Sequence, residues 1–131
     1  MLIVEDNPGD VDLIMDVMRD APVKCRVATD GIEALLAMRE HKPDLVLLDL
    51  NLPKKDGREV LAEIKADAQL QHIPVVVLSS SEAERDLAEV YRLHGNCFLT
   101  KPVDLDDFQR VVGSVEQFWL RTAKLPPSAA A

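Results

Sequence analysis

Residues 45–53 read Leu45-Val46-Leu47-Leu48-Asp49-Leu50-Asn51-Leu52-Pro53, and a loop ending in Asp56-Gly57 follows. The apolar run Leu45 to Leu48 reads as a buried strand that delivers one carboxylate, Asp49, at its carboxyl end. That is the usual address of functional sites in open α/β sheets. Three other apolar runs end in the same way. Leu2-Ile3-Val4 leads into Glu5-Asp6, Val75-Val76-Val77-Leu78 into Ser79, and Cys97-Phe98-Leu99-Thr100 into Lys101. An acid, an acid pair, a hydroxyl and an ammonium therefore stand at four strand ends. Together such groups can hold a divalent metal and a phosphoryl group.

Working outward, apolar runs alternate with helical patterns. Pro8 to Arg19 reads as a helix with Ile14, Val17 and Met18 on one face. Lys24 to Ala28 is a short second strand. Asp30 and Glu33 have the spacing of a capping box, opening a helix to about Glu40, and Pro43 blocks its continuation. A third helix runs from Arg58 to about Asp67 with Val60, Leu61 and Ile64 as its apolar stripe. A fourth runs from Glu82 to Leu93, where Gly95 suits the C-terminal cap. Asp104 caps a last helix reaching to about Thr122. Strict β-α alternation with short connections predicts one doubly wound parallel sheet with helices on both faces. With five strands and the acids at the first and third, the expected order is 2-1-3-4-5, which makes those two neighbours. Residues 1–123 are read as one domain, and 124–131 as a flexible tail without a packing pattern.

The chain of 131 residues suits one domain. A hydrophobic fraction of 47% with a net charge of -8 predicts a folded, soluble chain. The acidity argues against nucleic-acid binding, which needs a basic face. No apolar run is long enough for a bilayer, so no membrane partner is expected. With no signal peptide visible at Met1, the location is read as cytoplasmic. Cys25 and Cys97 fall near the second and fifth strands, at opposite edges of the expected sheet, too far apart for a disulfide.

The chemistry follows from the strand ends. Glu5, Asp6 and Asp49 should converge, and three close carboxylates repel one another. A divalent cation relieves that repulsion, and hard oxygen ligands favour magnesium (Mg2+), with the backbone carbonyl of Asn51 well placed as a further ligand. Asp49 is then free to act as a nucleophile toward a phosphoryl group. Lys101 and Ser79 offer a charge and a hydroxyl to its oxygens. Each residue alone also has a plainer reading. Asp49 could be a turn residue, Asp6 or Asn7 a helix cap, Ser79 to Ser81 a polar turn, and Lys101-Pro102 a loop or a cis-proline turn. The four in this order are what favour the site.

On these motifs the chain resembles the response-regulator receiver domains of two-component systems, over Leu2 to about Leu120. The resemblance implies a flavodoxin-like fold. It makes Glu5 and Asp6 the metal-side acids, Asp49 the phosphoacceptor, Ser79 the switch hydroxyl, Phe98 the switch aromatic and Lys101 the family's lysine. The family usually carries two aspartates after its first strand, and Glu5 departs from that. The stretches Asp49 to Lys65, Ile73 to Leu78, Asn96 to Lys101 and Glu116 to Leu120 resemble the single-domain regulators paired with bacterial phytochromes. A sensor histidine kinase, of the phytochrome type, is the partner this implies, with Asn51 and Ser81 flanking the path of attacking water. The function expected is therefore signalling by protein contact, and no catalysis beyond the chain's own phosphorylation and dephosphorylation. The alternative is a metal-dependent phosphatase or phosphotransferase working through an aspartyl phosphate, which would need a substrate-covering cap.

The last helix carries a stripe, Leu105, Phe108, Val112, Val115 and Trp119, at core-facing spacing. Val111 and Phe118 form a second stripe beside it. A helix packed on a sheet does not need that width. The expectation is a homodimer through the fourth helix, fifth strand and fifth helix.

Overall fold

The structure, a computed structural model, describes residues 1–127. Five parallel strands are β1 (Leu2–Val4), β2 (Arg26–Ala28), β3 (Val46–Leu48), β4 (Val75–Ser79) and β5 (Cys97–Thr100), in the order β2-β1-β3-β4-β5. The helices are α1 (Pro8–Val17), α2 (Gly31–Glu40), α3 (Gly57–Ala66), α4 (Glu84–Arg92) and α5 (Leu105–Val115). The order expected from the alternation of apolar runs is the order observed.

Side chains alternate across a strand, so each strand feeds two cores. Leu2, Val4, Leu48, Val75 and Val77 face α2, α3 and α4, where Leu35, Leu61, Ile64 and Val90 meet them. Ile3, Leu47, Val76 and Leu78 face α1 and α5, packing with Ile14, Met18, Phe108, Val112 and Val115. β1, β3 and β4 are buried along their whole length, which is why they read as unbroken apolar runs. Cys25 and Cys97 are free thiols beside opposite edges of the sheet.

Helix starts follow their caps. Asn7, Asp30, Asp56 and Asp104 each accept a backbone N–H of the following first turn. At α2 the capping box is altered. Asp30 accepts from the Glu33 N–H at 2.8 Å, but the Glu33 carboxylate accepts from the Thr29 hydroxyl at 3.2 Å.

Several local expectations are corrected. α4 begins at Glu84, not Glu82, and Ala83 at its N-cap makes no side-chain cap bond. His94 takes the left-handed conformation after α4, with φ 70°, where Gly95 was expected to. Gly95 is needed for close approach instead, since a Cβ there would lie 2.6 Å from Val90 Cγ1. The last helix does not stay α-helical to Thr122. Glu116–Thr122 is a π-helical turn, held by an Ala123 N–H donated to the Phe118 carbonyl at 2.6 Å. Of the first apolar stripe, Phe108, Val112 and Val115 are core, whereas Leu105 is exposed and Trp119 half-buried. No peptide bond among the described residues is cis, so Lys101-Pro102 is a trans turn. Leu125, within the tail, lies half-buried against the α1/α5 core, and residues 128–131 of that tail lie outside the described residues.

Candidate functional site: an acidic cluster at the strand ends

The chemistry gathers at the carboxyl ends of β1, β3, β4 and β5. Asp49 leaves β3 with its N–H donated to the Val4 carbonyl at 3.0 Å, which ties it to the end of β1. Glu5 follows β1, its N–H donated to Ala28 at 3.0 Å. Glu5 and Asp49 are buried and Asp6 is exposed. Carboxylate oxygens of Glu5, Asp6 and Asp49 lie within 4.8 Å of one another. Three hard anionic donors at that spacing fit a divalent cation.

Lys101 is carried in from the far side of β4. Its N–H is donated to the Ser79 carbonyl at 2.8 Å, so the backbone beyond β5 stays beside β4. The ammonium then reaches across to Glu5 Oε1 at 2.5 Å, Asp10 Oδ2 at 3.0 Å and Asp49 Oδ2 at 3.4 Å. Burial works against the Lys101 charge, but the Glu5 bond, the Asp49 charge and the Asp10 bond outweigh it and raise the pKa. Burial pushes Glu5 up to about 7. The Lys101 bond opposes that rise, and the charge on Asp49 adds to it. Lys101 thus shares one positive charge among three acids, and the cluster as a whole is short of cation.

The loop behind Asp49 is built tightly. Leu50 and Leu52 are buried in the α2/α3 core. The Gly57 N–H is donated to Leu50 O at 2.9 Å. A Cβ on Gly57 would sit 2.3 Å from the Asp49 carbonyl oxygen, so only glycine lets α3 start this close to the acid. The Asn51 N–H is donated to Asp49 Oδ1 at 3.3 Å and helps fix the carboxylate's orientation.

Ser79 is fully buried at the end of β4, and its hydroxyl accepts from the Ser81 N–H at 3.2 Å. Phe98 is half-buried against the α2/α3/α4 core. Its N–H is donated to the hydroxyl of Tyr91 at 3.2 Å. β5 is the edge strand, and alternate residues of a parallel strand face the neighbour. Phe98 stands an odd number of steps from Lys101, which bonds β4, so its N–H faces outward and Tyr91 covers it.

Glu5, Asp6, Asp49 and Lys101 therefore meet at the cluster, Ser79 ends the adjacent strand β4 with its hydroxyl toward Ser81, and Phe98 lies beneath the neighbouring face. Two further residues were not foreseen. Asp10, on the first turn of α1, is the second-nearest partner of Lys101. Its only signal is its place in the acidic stretch Asp6-Asn7-Pro8-Gly9-Asp10, where the N-cap Asn7 turns it inward. Tyr91 has no signal in sequence, because its partner is a backbone N–H. Lys54, Lys55 and Arg58, beside the cluster in sequence, are all paired within the chain, with Asp30, Glu63 and the acids Asp56, Asp86 and Glu89.

An acid at the end of a central strand, flanked by an acid pair, a hydroxyl and a lysine in this sheet order, defines a receiver. Residues 1–113 match the response regulator receiver domain family, and the chain belongs to that family. Among its relatives is response regulator Rcp1 of Synechocystis sp., 44% identical over 135 residues, covering 96% of this chain and 92% of that protein. The Mn(2+)-bound form of Rcp1 superposes with a TM-score of 0.92, covering 96% of this chain and 97% of that one. The phosphorylated cyanobacterial phytochrome response regulator RcpA gives 0.92 at 47% identity, over 96% of each chain. The fold is the flavodoxin-like receiver fold, and the chain is a response regulator. No helix among the described residues is long and apolar enough to cross a membrane.

Proposed function

We propose that Asp49 is the phosphoacceptor and that its phosphodonor is the phosphohistidine of a sensor histidine kinase of the phytochrome type. An Asp49 carboxylate oxygen forms a bond to phosphorus as the bond from the histidine nitrogen breaks, and the imidazole leaves with the electron pair. Glu5, Asp6, Asp49 and the backbone carbonyl of Asn51 would hold magnesium, which supplies positive charge against the carboxylates and phosphoryl oxygens. Lys101 is positioned to move its hydrogen bond from Asp49 to a phosphoryl oxygen. Ser79 can turn its hydroxyl to a second, and Phe98 can follow into the space beneath. The observation that carries this reading is the convergence of one ammonium on three acids, two of them buried, at the end of β3.

A pocket of 280 Å³ beside Lys101, lined by Leu13, Val103, Leu105 and Phe108 with Asp10, offers the donor protein an apolar seat next to the acceptor. The likeness to RcpA, a cyanobacterial phytochrome response regulator, favours a phytochrome-type donor. The acidic charge disfavours nucleic acid, and the short Leu50–Asp56 connection carries no cap for a foreign substrate. We read the chain as a cytoplasmic signalling protein rather than a phosphatase. Residues 1–123 form the receiver. The signal leaves through a homodimer formed by α4, β5, α5 and the π-helical turn that continues it, where Phe118 is 54% exposed and Tyr91, on α4, 49% exposed. Incubation with acetyl phosphate and magnesium tests the central step. One phosphoryl group is expected, lost with chelator and absent from Asp49→Asn. Equal labelling of that variant contradicts the assignment.

A further inference from the structure

The hydroxyl of Ser79 is tied through Ser81 to the helices on one side of the sheet. Ser81 donates its N–H to Ser79 Oγ at 3.2 Å, and its own hydroxyl donates to Asp86 Oδ2 at 2.5 Å. Asp86 Oδ1 accepts from Arg58 Nη2 at 2.7 Å. Arg58 is itself held by Asp56, the N-cap of α3, at 3.3 Å and by Glu89 of α4 at 2.8 Å. Burial pulls the Arg58 charge down, but its bonds to Asp86 and Asp56 keep it above its usual range. The start of α4 has no side-chain cap of its own, and the Ser81 hydroxyl also accepts the Ala83 N–H at 3.3 Å, so this polar chain helps fix the β4–α4 connection.

Resting on the reading of Asp49 above, we propose that Arg58 and Asp86 are positioning residues for its phosphorylation, acting through the hydroxyl of Ser81. Ser79 engages the Ser81 N–H in this state. Turning its hydroxyl onto a phosphoryl oxygen either breaks that bond or carries residues 80 and 81 with it. The charge-assisted bond from Ser81 to Asp86, backed by Arg58, resists that movement. The link therefore restrains phosphorylation, and its strength sets how readily the connection closes on the acceptor.

The test is the initial rate of labelling of the full chain by acetyl phosphate with magnesium, with melting temperature measured alongside. Ser81→Ala and Asp86→Ala should each raise the rate about three- to tenfold. The double variant should be no faster than either single, because both cut one link. Ser81→Thr, which keeps the hydroxyl, should return the rate to near wild type. Glu84→Ala removes a carboxylate from the same turn of α4 without touching Ser81, and should leave the rate unchanged. An unaltered rate in Ser81→Ala, multiplicative rates in the double variant, or an equal rise in Glu84→Ala each overturns the inference. A wild-type chain that does not label overturns the reading of Asp49 as well, so the two failures are distinguishable.

Discussion

Lys101 shows how one side chain balances a site. It is the only cation bonded to Glu5, Asp10 and Asp49 among the described residues. Deleting it leaves Glu5 only the Asn7 N–H and Asp49 only the Asn51 N–H as donors, and taking the charged partner from a buried carboxylate costs about 1–3 kcal/mol for each group. Lys101→Ala should therefore melt earlier than wild type in chelator, and magnesium should recover most of the loss. Thermal unfolding with and without magnesium checks this, and a variant as stable as wild type in chelator contradicts it. Asp86 gives a pH signature away from the cluster. The Ser81 hydrogen bond first, and Arg58 second, hold its carboxyl below the ordinary 3.8. A depressed carboxyl contributes stability that is complete above its unfolded value and is lost as pH falls through the folded one. Asp86→Ala should be less stable than wild type at neutral pH, and the gap should close below about pH 3.8. A gap that stays constant through acid unfolding would mean the carboxylate is not engaged in solution.

Among the elements, α3 and the turn after α5 make the sharpest demands. Gly57 starts α3 against the backbone of Asp49 and Leu50, where a Cβ would lie at 2.3 and 2.6 Å. Backbone cannot yield as a side chain does, so Gly57→Ala should destabilise by about 1–3 kcal/mol and shift the Asp49 loop. Denaturant unfolding measures it, and an unchanged midpoint contradicts the close approach. The sheet and its order were legible because buried parallel strands leave unbroken apolar runs. The acids were legible because each follows such a run directly. The π-helical turn was not. Its backbone bond joins residues five apart, Ala123 N–H to the Phe118 carbonyl, and the Arg121 and Thr122 side chains reach back five residues to Glu116 and Gln117, while the apolar spacing of 108–119 fits an α-helix equally well. Asp10 was not legible because it serves a lysine 91 residues away. At the end of α4 the left-handed residue is His94, and Gly95 is required instead by its close approach to Val90, which sequence spacing does not reveal.

On the scale of the molecule, the acidic cluster at the strand ends and the apolar face of α4, β5 and α5 are joined by β5. Lys101 follows this strand, and Phe98 lies within it. Phe118 stands against Trp119 edge to face, with ring centroids 5.5 Å apart, and presents its outer side to water. Burying such rings against a second copy is worth roughly 1.5–3 kcal/mol for each large side chain. Phosphorylation should tighten the proposed homodimer, and Phe118→Asp should give a folded monomer. Sedimentation that finds the wild-type chain monomeric with and without a phosphoryl mimic would assign the stripe to packing alone. All of this depends on where the phosphoryl group goes. The most direct measurement is to label the full chain with acetyl phosphate and magnesium, then reduce the acyl phosphate with borohydride. Reduction turns the modified aspartate into homoserine, and peptide sequencing by mass spectrometry then locates it. The account predicts homoserine at position 49 and nowhere else; homoserine at another position, or none in a chain that has gained a phosphoryl group, would contradict it.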